Sequence, residues 1–246
     1  MRRSPTQHGR LLVPLALVLM ALVAAACGGD DDAAGADGTA PAEHKITVAG
    51  DSISVGLGSQ LREVVADADG GDGAVVKVIG EPGTGLARPD NLDWPARLQE
   101  LARDFPPAVL VFSVGSNDAQ DLTDSDGEVV VTMSETEEWD AEYSRRLAAA
   151  FDAFRPADGE EPGTKVVWVG HVRTAEDRVA DTNRRVHRLA TEVAADRPWV
   201  EVRDLAELLG TGEDEATRCL VEDGLHLTVD CLTEADEALV GDLLPA

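Results

Sequence analysis

The chain contains 246 residues, of which 47 are acidic and 21 are lysine or arginine, so its formal net charge is −26. A charge of this sign argues against nucleic acid or an anionic lipid surface as a partner, because both would repel the protein. Aromatic residues make up only 4% of the chain, and the core must therefore be built mainly from aliphatic side chains.

The first 26 residues have the pattern of a signal peptide. A basic head precedes an apolar run over residues 11–26, which is too short to span a membrane. The run ends in three alanines followed by Cys27, and this ending resembles the lipobox of bacterial lipoproteins, although Ala24 stands where a leucine is usual. We expect residues 1–26 to be removed and Cys27 to be acylated, which would anchor the protein to the outer face of the membrane in a bacterial cell envelope. Simple secretion and an uncleaved anchor are the alternatives.

Residues 27–44 are predicted to form a flexible, lipid-anchored tether, because they are rich in glycine, aspartate and alanine and lack an apolar face. Removal of the leader would take away three arginines and no acidic residue, leaving 18 basic against 47 acidic side chains and a charge of −29. The remaining residues, 45–246, are enough for one folded domain with a core of its own.

Short apolar segments alternate with segments of helical periodicity from residue 46 onward. The predicted strands are 46–49, 74–80, 108–115, 165–170 and 200–205. The segments between them place apolar residues three or four positions apart, and a last helix is predicted from residue 234. This alternation predicts an α/β three-layer sandwich of flavodoxin-like kind with about five parallel strands.

Polar residues and glycines gather where the predicted strands end. The segments are Gly50-Asp51-Ser52, the Gly83/Gly85 loop, Gly115-Ser116-Asn117-Asp118 and Gly170-His171. Proteins with parallel α/β sheets bind their ligands at the carboxyl ends of the strands, so we expect these segments to form the functional site. Ser52 follows a tight turn at the start of a helix, which suits a nucleophile; the alternative is an ordinary N-cap serine.

Four short motifs, in order along the chain, resemble the four blocks of the SGNH/GDSL hydrolase superfamily. They are Gly50-Asp51-Ser52, the glycine-containing loop after the second strand, Gly115-x-Asn117-Asp118 and Asp223-x-x-His226. In the second block Gly85 is preferred to Gly83. The resemblance covers essentially everything from residue 46 onward, and the stretch 84–90 with Trp94 is similar to a poorly characterised subgroup of exported SGNH proteins.

The chemistry of ester cleavage assigns a role to each of these residues, and the resemblance implies the same roles. Ser52 would supply the nucleophile, His226 would accept its proton, and Asp223 would hold the imidazole in the correct tautomer. The backbone N–H groups of Ser52 and Gly85 and the side-chain amide of Asn117 would bind the developing oxyanion.

The domain 45–246 is therefore interpreted as an exported serine esterase that hydrolyses small acyl esters, with O-acetyl groups on envelope glycans as candidate substrates. Two alternatives stay open: an O-acyltransferase that uses the same residues on envelope glycans, and a non-catalytic glycan-binding module. No cofactor or metal is expected, since the calcium-loop-like segment 124–127 lacks acidic ligands at Leu122 and Met133. The sequence leaves the oligomeric state open.

Several other polar residues have more than one interpretation. Arg88, His171 and Arg173 are candidates for lining the substrate pocket, with an ion-paired or plain loop position as the alternative. His44, in the predicted tether, and His187, on the polar face of a helix, are expected to be solvated.

Two cysteines remain once Cys27 is assigned to the lipobox. Cys219 and Cys231 lie on either side of the segment that contains Asp223 and His226. Export would place them where disulfides persist, so we predict a Cys219–Cys231 bond that closes this loop, with two buried free thiols as the alternative.

Overall fold

The structure is a computed structural model that describes residues 43–212 and 214–245. The strands of the described chain are β1 (His44–Gly50), β2 (Ala74–Gly80), β3 (Val109–Ser113), β4 (Leu122–Thr123), β5 (Val129–Val131), β6 (Lys165–Gly170) and β7 (Val200–Asp204). The main sheet contains five parallel strands in the order β2-β1-β3-β6-β7. The five-stranded parallel sheet predicted from the sequence is confirmed.

Helices cover both faces of this sheet. They are α1 (Ser52–Asp67), α2 (Trp94–Asp104), α3 (Thr136–Asp152), α4 (Asp177–Ala194), α5 (Leu205–Leu208) and α6 (Val229–Leu243). Alternate residues of β3 point to opposite faces: Val109 and Val111 join the core with α1, α5 and α6, whereas Leu110 and Phe112 join the core with α2, α3 and α4. The three-layer α/β architecture is therefore confirmed.

The first strand begins at His44, one residue before the predicted domain boundary. The His44 Nε2 atom donates a hydrogen bond of 2.7 Å to the carbonyl oxygen of Leu243, at the end of α6. The expectation that His44 is a solvated tether residue is therefore wrong, since its ring joins the two ends of the domain. The predicted signal peptide, Cys27 and the tether up to residue 42 lie outside the described residues.

The acidic insertion between β3 and α3 contains a small hairpin. Its strands β4 and β5 pair antiparallel. In the part of the chain that the structure describes, no helix has the length and apolar character needed to cross a membrane.

Candidate active site

The turn between β1 and α1 places Ser52 at the first position of the helix. The N-cap is Asp51, whose side chain accepts a hydrogen bond of 2.9 Å from the Ile53 N–H. Only glycine fits at position 50, because a Cβ atom there would lie 1.8 Å from the carbonyl oxygen of Ser113 and the residue has a φ of 132°. The interpretation of Ser52 as a simple N-cap is therefore wrong, and its hydroxyl is available for other contacts.

The Ser52 hydroxyl contacts His226, which in turn contacts Asp223. The Ser52 Oγ to His226 Nε2 distance is 2.8 Å, and the His226 Nδ1 to Asp223 Oδ2 distance is 2.7 Å. The second carboxylate oxygen of Asp223 accepts the backbone N–H groups of Leu225 and His226 at 2.8 and 2.9 Å. The hydrogen bond with His226, together with these backbone bonds, lowers the pKa of Asp223 to about 2, so the carboxylate is ionised at neutral pH.

The loop that presents Asp223 and His226 is held at both ends. A disulfide joins Cys219 to Cys231, so the predicted bond is confirmed. Inside the loop, the Val221 N–H donates to the His226 carbonyl at 2.8 Å, and an isolated antiparallel bridge pairs the two flanking leucines. These contacts fix the backbone on both sides of the histidine.

Asn117 lies on a short 3₁₀ turn after β3, at the same edge of the sheet as Ser52. Its Nδ2 atom donates to the carbonyl oxygen of Thr84 at 2.9 Å and to Asp51 Oδ2 at 3.3 Å. The Trp94 indole N–H donates to the Thr84 hydroxyl at 3.0 Å and so supports the segment that Asn117 contacts. The predicted oxyanion donor is thus held beside Asp51, the residue that precedes Ser52.

Gly85 packs against the buried carboxyl group of Asp118. A Cβ atom at position 85 would lie 2.1 Å from Asp118 Oδ1, so the backbone can approach this closely only at a glycine. The same carboxyl group accepts the Ala87 N–H at 2.7 Å and the Tyr143 hydroxyl at 2.6 Å. Burial raises the pKa of Asp118 to about 6. Asp118 therefore braces the loop after β2 against α3, while the oxyanion role of the Gly85 N–H stays a prediction.

A comparison with protein families matches residues 45–229 to the model described as "Protein of unknown function (DUF459)". The chain belongs to the DUF459 family. This family is SGNH-like, which supports the superfamily indicated by the four sequence motifs. A search of the curated proteins gave no match.

Several solved structures resemble this DUF459 protein at low sequence identity. The carbohydrate acetylesterase Est24 from Sinorhizobium meliloti is 14% identical, with a TM-score of 0.55 over 81% of this chain and 97% of its own. A catalytic mutant of the acetylxylan esterase Axe2 from Geobacillus stearothermophilus is 15% identical, with a TM-score of 0.57 over 81% and 94%. A lipolytic G-D-S-L family member from Veillonella parvula is 15% identical, with a TM-score of 0.54 over 80% and 96%. At such identities the comparison shows the fold.

His171 lies beneath the site of this DUF459 protein, with only 2% of its side chain exposed. Its Nδ1 atom accepts the Ser116 backbone N–H at 3.2 Å, and Ser113, whose hydroxyl donates to the Val169 carbonyl, lies 3.0 Å from Nε2. These contacts define a neutral ring with the proton on Nε2. Burial lowers the pKa of His171 to about 4, consistent with a neutral ring. This burial favours a supporting position and does not favour the predicted place in the wall of a substrate pocket.

The two candidate pocket arginines are held in ion pairs at the surface. Arg88 donates two hydrogen bonds to Asp90, at 2.8 and 2.6 Å, and Arg173 pairs with Asp177 and Asp214. For Arg88 this is the ion-paired loop position that the sequence left open.

The motifs include Asp51, but the sequence did not indicate that its carboxyl group is buried. Its carboxyl group is fully buried, and this burial raises its pKa to about 7. The Gly-Asp-Ser motif contains Asp51, but its letters do not show whether the carboxyl group faces solvent or the interior. Among the described residues, no group of three or more histidine, cysteine, aspartate or glutamate side chains could hold a metal ion.

Proposed function

We propose that this protein is a serine esterase that hydrolyses small acyl esters through an acyl-enzyme on Ser52. The observation that carries the proposal is the continuous contact from Ser52 Oγ to His226 Nε2 at 2.8 Å and from His226 Nδ1 to Asp223 at 2.7 Å. A nucleophile within reach of a base that is itself oriented by a carboxylate is the arrangement that acyl transfer needs.

The geometry supports a two-step reaction. Ionised Asp223 accepts the Nδ1–H of His226, which leaves Nε2 free to take the Ser52 proton as Oγ attacks the ester carbonyl carbon. The oxyanion that forms is stabilised by the N–H groups of Ser52 and Gly85 and by the Asn117 amide. His226 then protonates the leaving alcohol. A water molecule, deprotonated by His226, releases the acid from Ser52 in the second step.

O-acetyl groups on glycans are the substrate class that we propose. The side chains of His226 and Asp223 are 41% and 48% exposed, so a bulky alcohol portion of an ester can approach the serine. Est24 is a carbohydrate acetylesterase and Axe2 is an acetylxylan esterase, and their shared fold with this chain agrees with this substrate class.

A location outside the cytoplasm completes the proposal. The Cys219–Cys231 disulfide fits an oxidising, extracytoplasmic compartment. We propose that residues 1–26 direct export, that Cys27 carries a lipid anchor, and that the tether after it holds the domain near acetylated envelope glycans.

The test is a product analysis on the mature chain, residues 27–246. Incubation with p-nitrophenyl acetate and with acetylated xylooligosaccharides should release acetate, and Ser52→Ala should abolish nearly all of it. Ser59→Ala is the matched control, because Ser59 is an exposed serine of the same helix and contacts only the backbone of Val55 among the bonds described. Acetyl groups that appear on an added glycan acceptor would favour the transferase, and binding without turnover would favour the glycan-binding module.

A further inference from the structure

The buried Asp51 carboxyl group faces Asn117 on one side and the helix start on the other. Asp51 Oδ1 accepts the Ile53 N–H at 2.9 Å, and Oδ2 accepts an Asn117 Nδ2–H at 3.3 Å. The nearest ring nitrogen of His171 lies 3.8 Å from Oδ1, which is too far for a hydrogen bond. Asp51 therefore makes one bond that caps α1 and one bond that engages the Asn117 amide.

Both amide hydrogens of Asn117 are already in use. A side-chain amide has two N–H donors, and here they serve the Thr84 carbonyl at 2.9 Å and Asp51 Oδ2 at 3.3 Å. The amide can donate to a substrate oxyanion only if it releases one of these partners. The bond to Asp51 is the longer of the two, and it is therefore the one that exchanges most readily.

We propose that Asp51 is a positioning residue: it holds the Asn117 amide in place through Oδ2 and gives up that N–H to the substrate oxygen as negative charge develops there. This inference rests on the proposed esterase function. It explains why a carboxyl group is buried directly before the nucleophile, although Asn or Ser would cap the helix equally well.

The hydrogen bond from the Asn117 amide to Asp51 depends on the charge of the Asp51 carboxyl group. A carboxylate accepts the amide N–H strongly, whereas a protonated Oδ2 would present a donor to another donor. Burial raises the pKa of Asp51 to about 7, so the contact titrates near neutrality. The titratable groups that face Asp51 are His226 from the disulfide loop, His171 after β6, and Asp118 with Tyr143 on the Asn117 side.

A double-mutant cycle on the full-length mature enzyme tests the functional coupling. Asp51→Asn keeps a capping carbonyl oxygen but turns an amide NH₂ toward the Asn117 NH₂, so Asn117 should lose its position. We expect Asp51→Asn to lower kcat at least about tenfold, and the double variant Asp51→Asn/Asn117→Ala to be no slower than Asn117→Ala alone within about threefold. Independent effects that multiply in the double variant would overturn the proposal.

Two further variants control for effects of the substitutions on folding. Asp93→Asn is the matched control, because Asp93 caps α2 in the same way, through the Ala96 N–H, and should leave kcat unchanged. If Asp51→Asn does not fold, Asp51→Ser replaces it, since serine caps a helix well and removes the carboxyl group from Asn117.

A titration by nuclear magnetic resonance tests the contact without any activity. The side-chain amide signals of Asn117, assigned by their loss in Asn117→Ala, should shift with a midpoint near pH 7 in the wild type and in His226→Gln. They should not shift in Asp51→Asn. A titration that vanishes in His226→Gln and persists in Asp51→Asn would overturn the proposal. An intact titration without esterase turnover would count against the proposed function alone.

Discussion

Asn117 illustrates how much one side chain can contribute at this site. Its amide is positioned by partners on two other segments, the Thr84 carbonyl and Asp51. These partners hold the amide in place before the reaction, so that only one N–H has to pass from Asp51 to the substrate oxygen as negative charge develops. Donors positioned in this way act mainly on the transition state.

We predict that Asn117→Ala lowers kcat by about a hundredfold with little change in KM, because one oxyanion donor is typically worth about 2.7–4 kcal/mol in the transition state. Steady-state kinetics on a small acetyl ester measures this. Asn91→Ala is the control, since the Asn91 amide donates only a long bond to the Gly83 carbonyl at an exposed position. An unchanged kcat in Asn117→Ala would mean that Asn117 is structural only.

Asp236 is a third buried carboxyl group, and it lies outside the four sequence motifs. It lies on α6 with no exposed surface, and neither of its oxygens has a hydrogen-bond partner in the structure. Burial raises the pKa of Asp236 to about 8. The unfolded chain would release this proton near pH 4, so between about pH 4 and 8 the unfolded state binds fewer protons and stability falls as the pH rises.

We predict that protonation of Asp236 makes the melting temperature of the protein depend on pH. Each pH unit in this window should cost up to about 1.4 kcal/mol, so the Tm of the wild type should fall by roughly 5–15 °C between pH 5 and 8 relative to Asp236→Asn. Scanning calorimetry of the two proteins across this range measures the difference. Parallel Tm curves would show that Asp236 is ionised in the folded state already at pH 5.

The candidate catalytic residues that could be predicted from the sequence are those that a motif and a chemical requirement identify together. Ser52, Asp223 and His226 satisfy both, and the structure brings them into contact. His171 was a candidate only because it follows the end of a strand. That position does not distinguish a residue in the pocket from one beneath it. Asp51 is part of the Gly-Asp-Ser motif, but the burial of its carboxyl group depends on how three separate segments pack.

The disulfide loop is the element that connects stability with catalysis. It contains Asp223 and His226 but no regular secondary structure over residues 220–228, so the bond between Cys219 and Cys231 replaces the rigidity that a helix or strand would give. The loop also contacts its surroundings, because the Ala175 N–H donates to the Gly224 carbonyl at 2.8 Å.

We predict that the double variant Cys219→Ser/Cys231→Ser lowers the Tm and kcat together. A loop of this length contributes at most about 3 kcal/mol through chain entropy, and a displacement of His226 by about 1 Å can cost a hundredfold in rate. Calorimetry and kinetics on the same preparation measure both. A lower Tm with an unchanged kcat would show that other contacts alone position His226.

Most helices and strands could be predicted from apolar periodicity, but their ends could not. Ser134 and Glu137 have the spacing of a capping box, which predicts that the helix starts at Ser134. This prediction is wrong: α3 begins at Thr136, and Glu135 instead accepts bonds from Thr132. The last helix begins at Val229, five residues before the prediction, because the Thr228 hydroxyl caps it through the Cys231 N–H at 3.4 Å. Helix ends depend on local polar contacts that apolar spacing does not reveal.

At the scale of the whole molecule, the excess of acidic residues should disfavour the approach of anionic esters. The chain has a formal net charge of −26, and its surface should repel anionic substrates over about one Debye length, near 10 Å at 0.1 M salt.

The parallel sheet and its two helical layers were predictable because their patterns are repeated along the chain. The depth of burial at the strand ends was not, since it depends on loops whose packing the sequence does not show.

We predict that added salt raises kcat/KM for an anionic ester, such as 4-acetoxybenzoate, by about threefold between 0.01 and 0.5 M, because screening shortens the range of repulsion. The neutral p-nitrophenyl acetate, assayed in parallel, should change little. An equal salt effect on both esters would show that salt acts on the enzyme and not on the encounter.

The central claim is that Ser52 is the nucleophile, and covalent labelling tests it most directly. A fluorophosphonate probe, followed by proteolysis and mass spectrometry, should modify the wild-type chain on the peptide that contains Ser52, and Ser52→Ala should remain unlabelled while it melts like the wild type. Labelling that persists in Ser52→Ala, or that maps to another serine, would contradict the account.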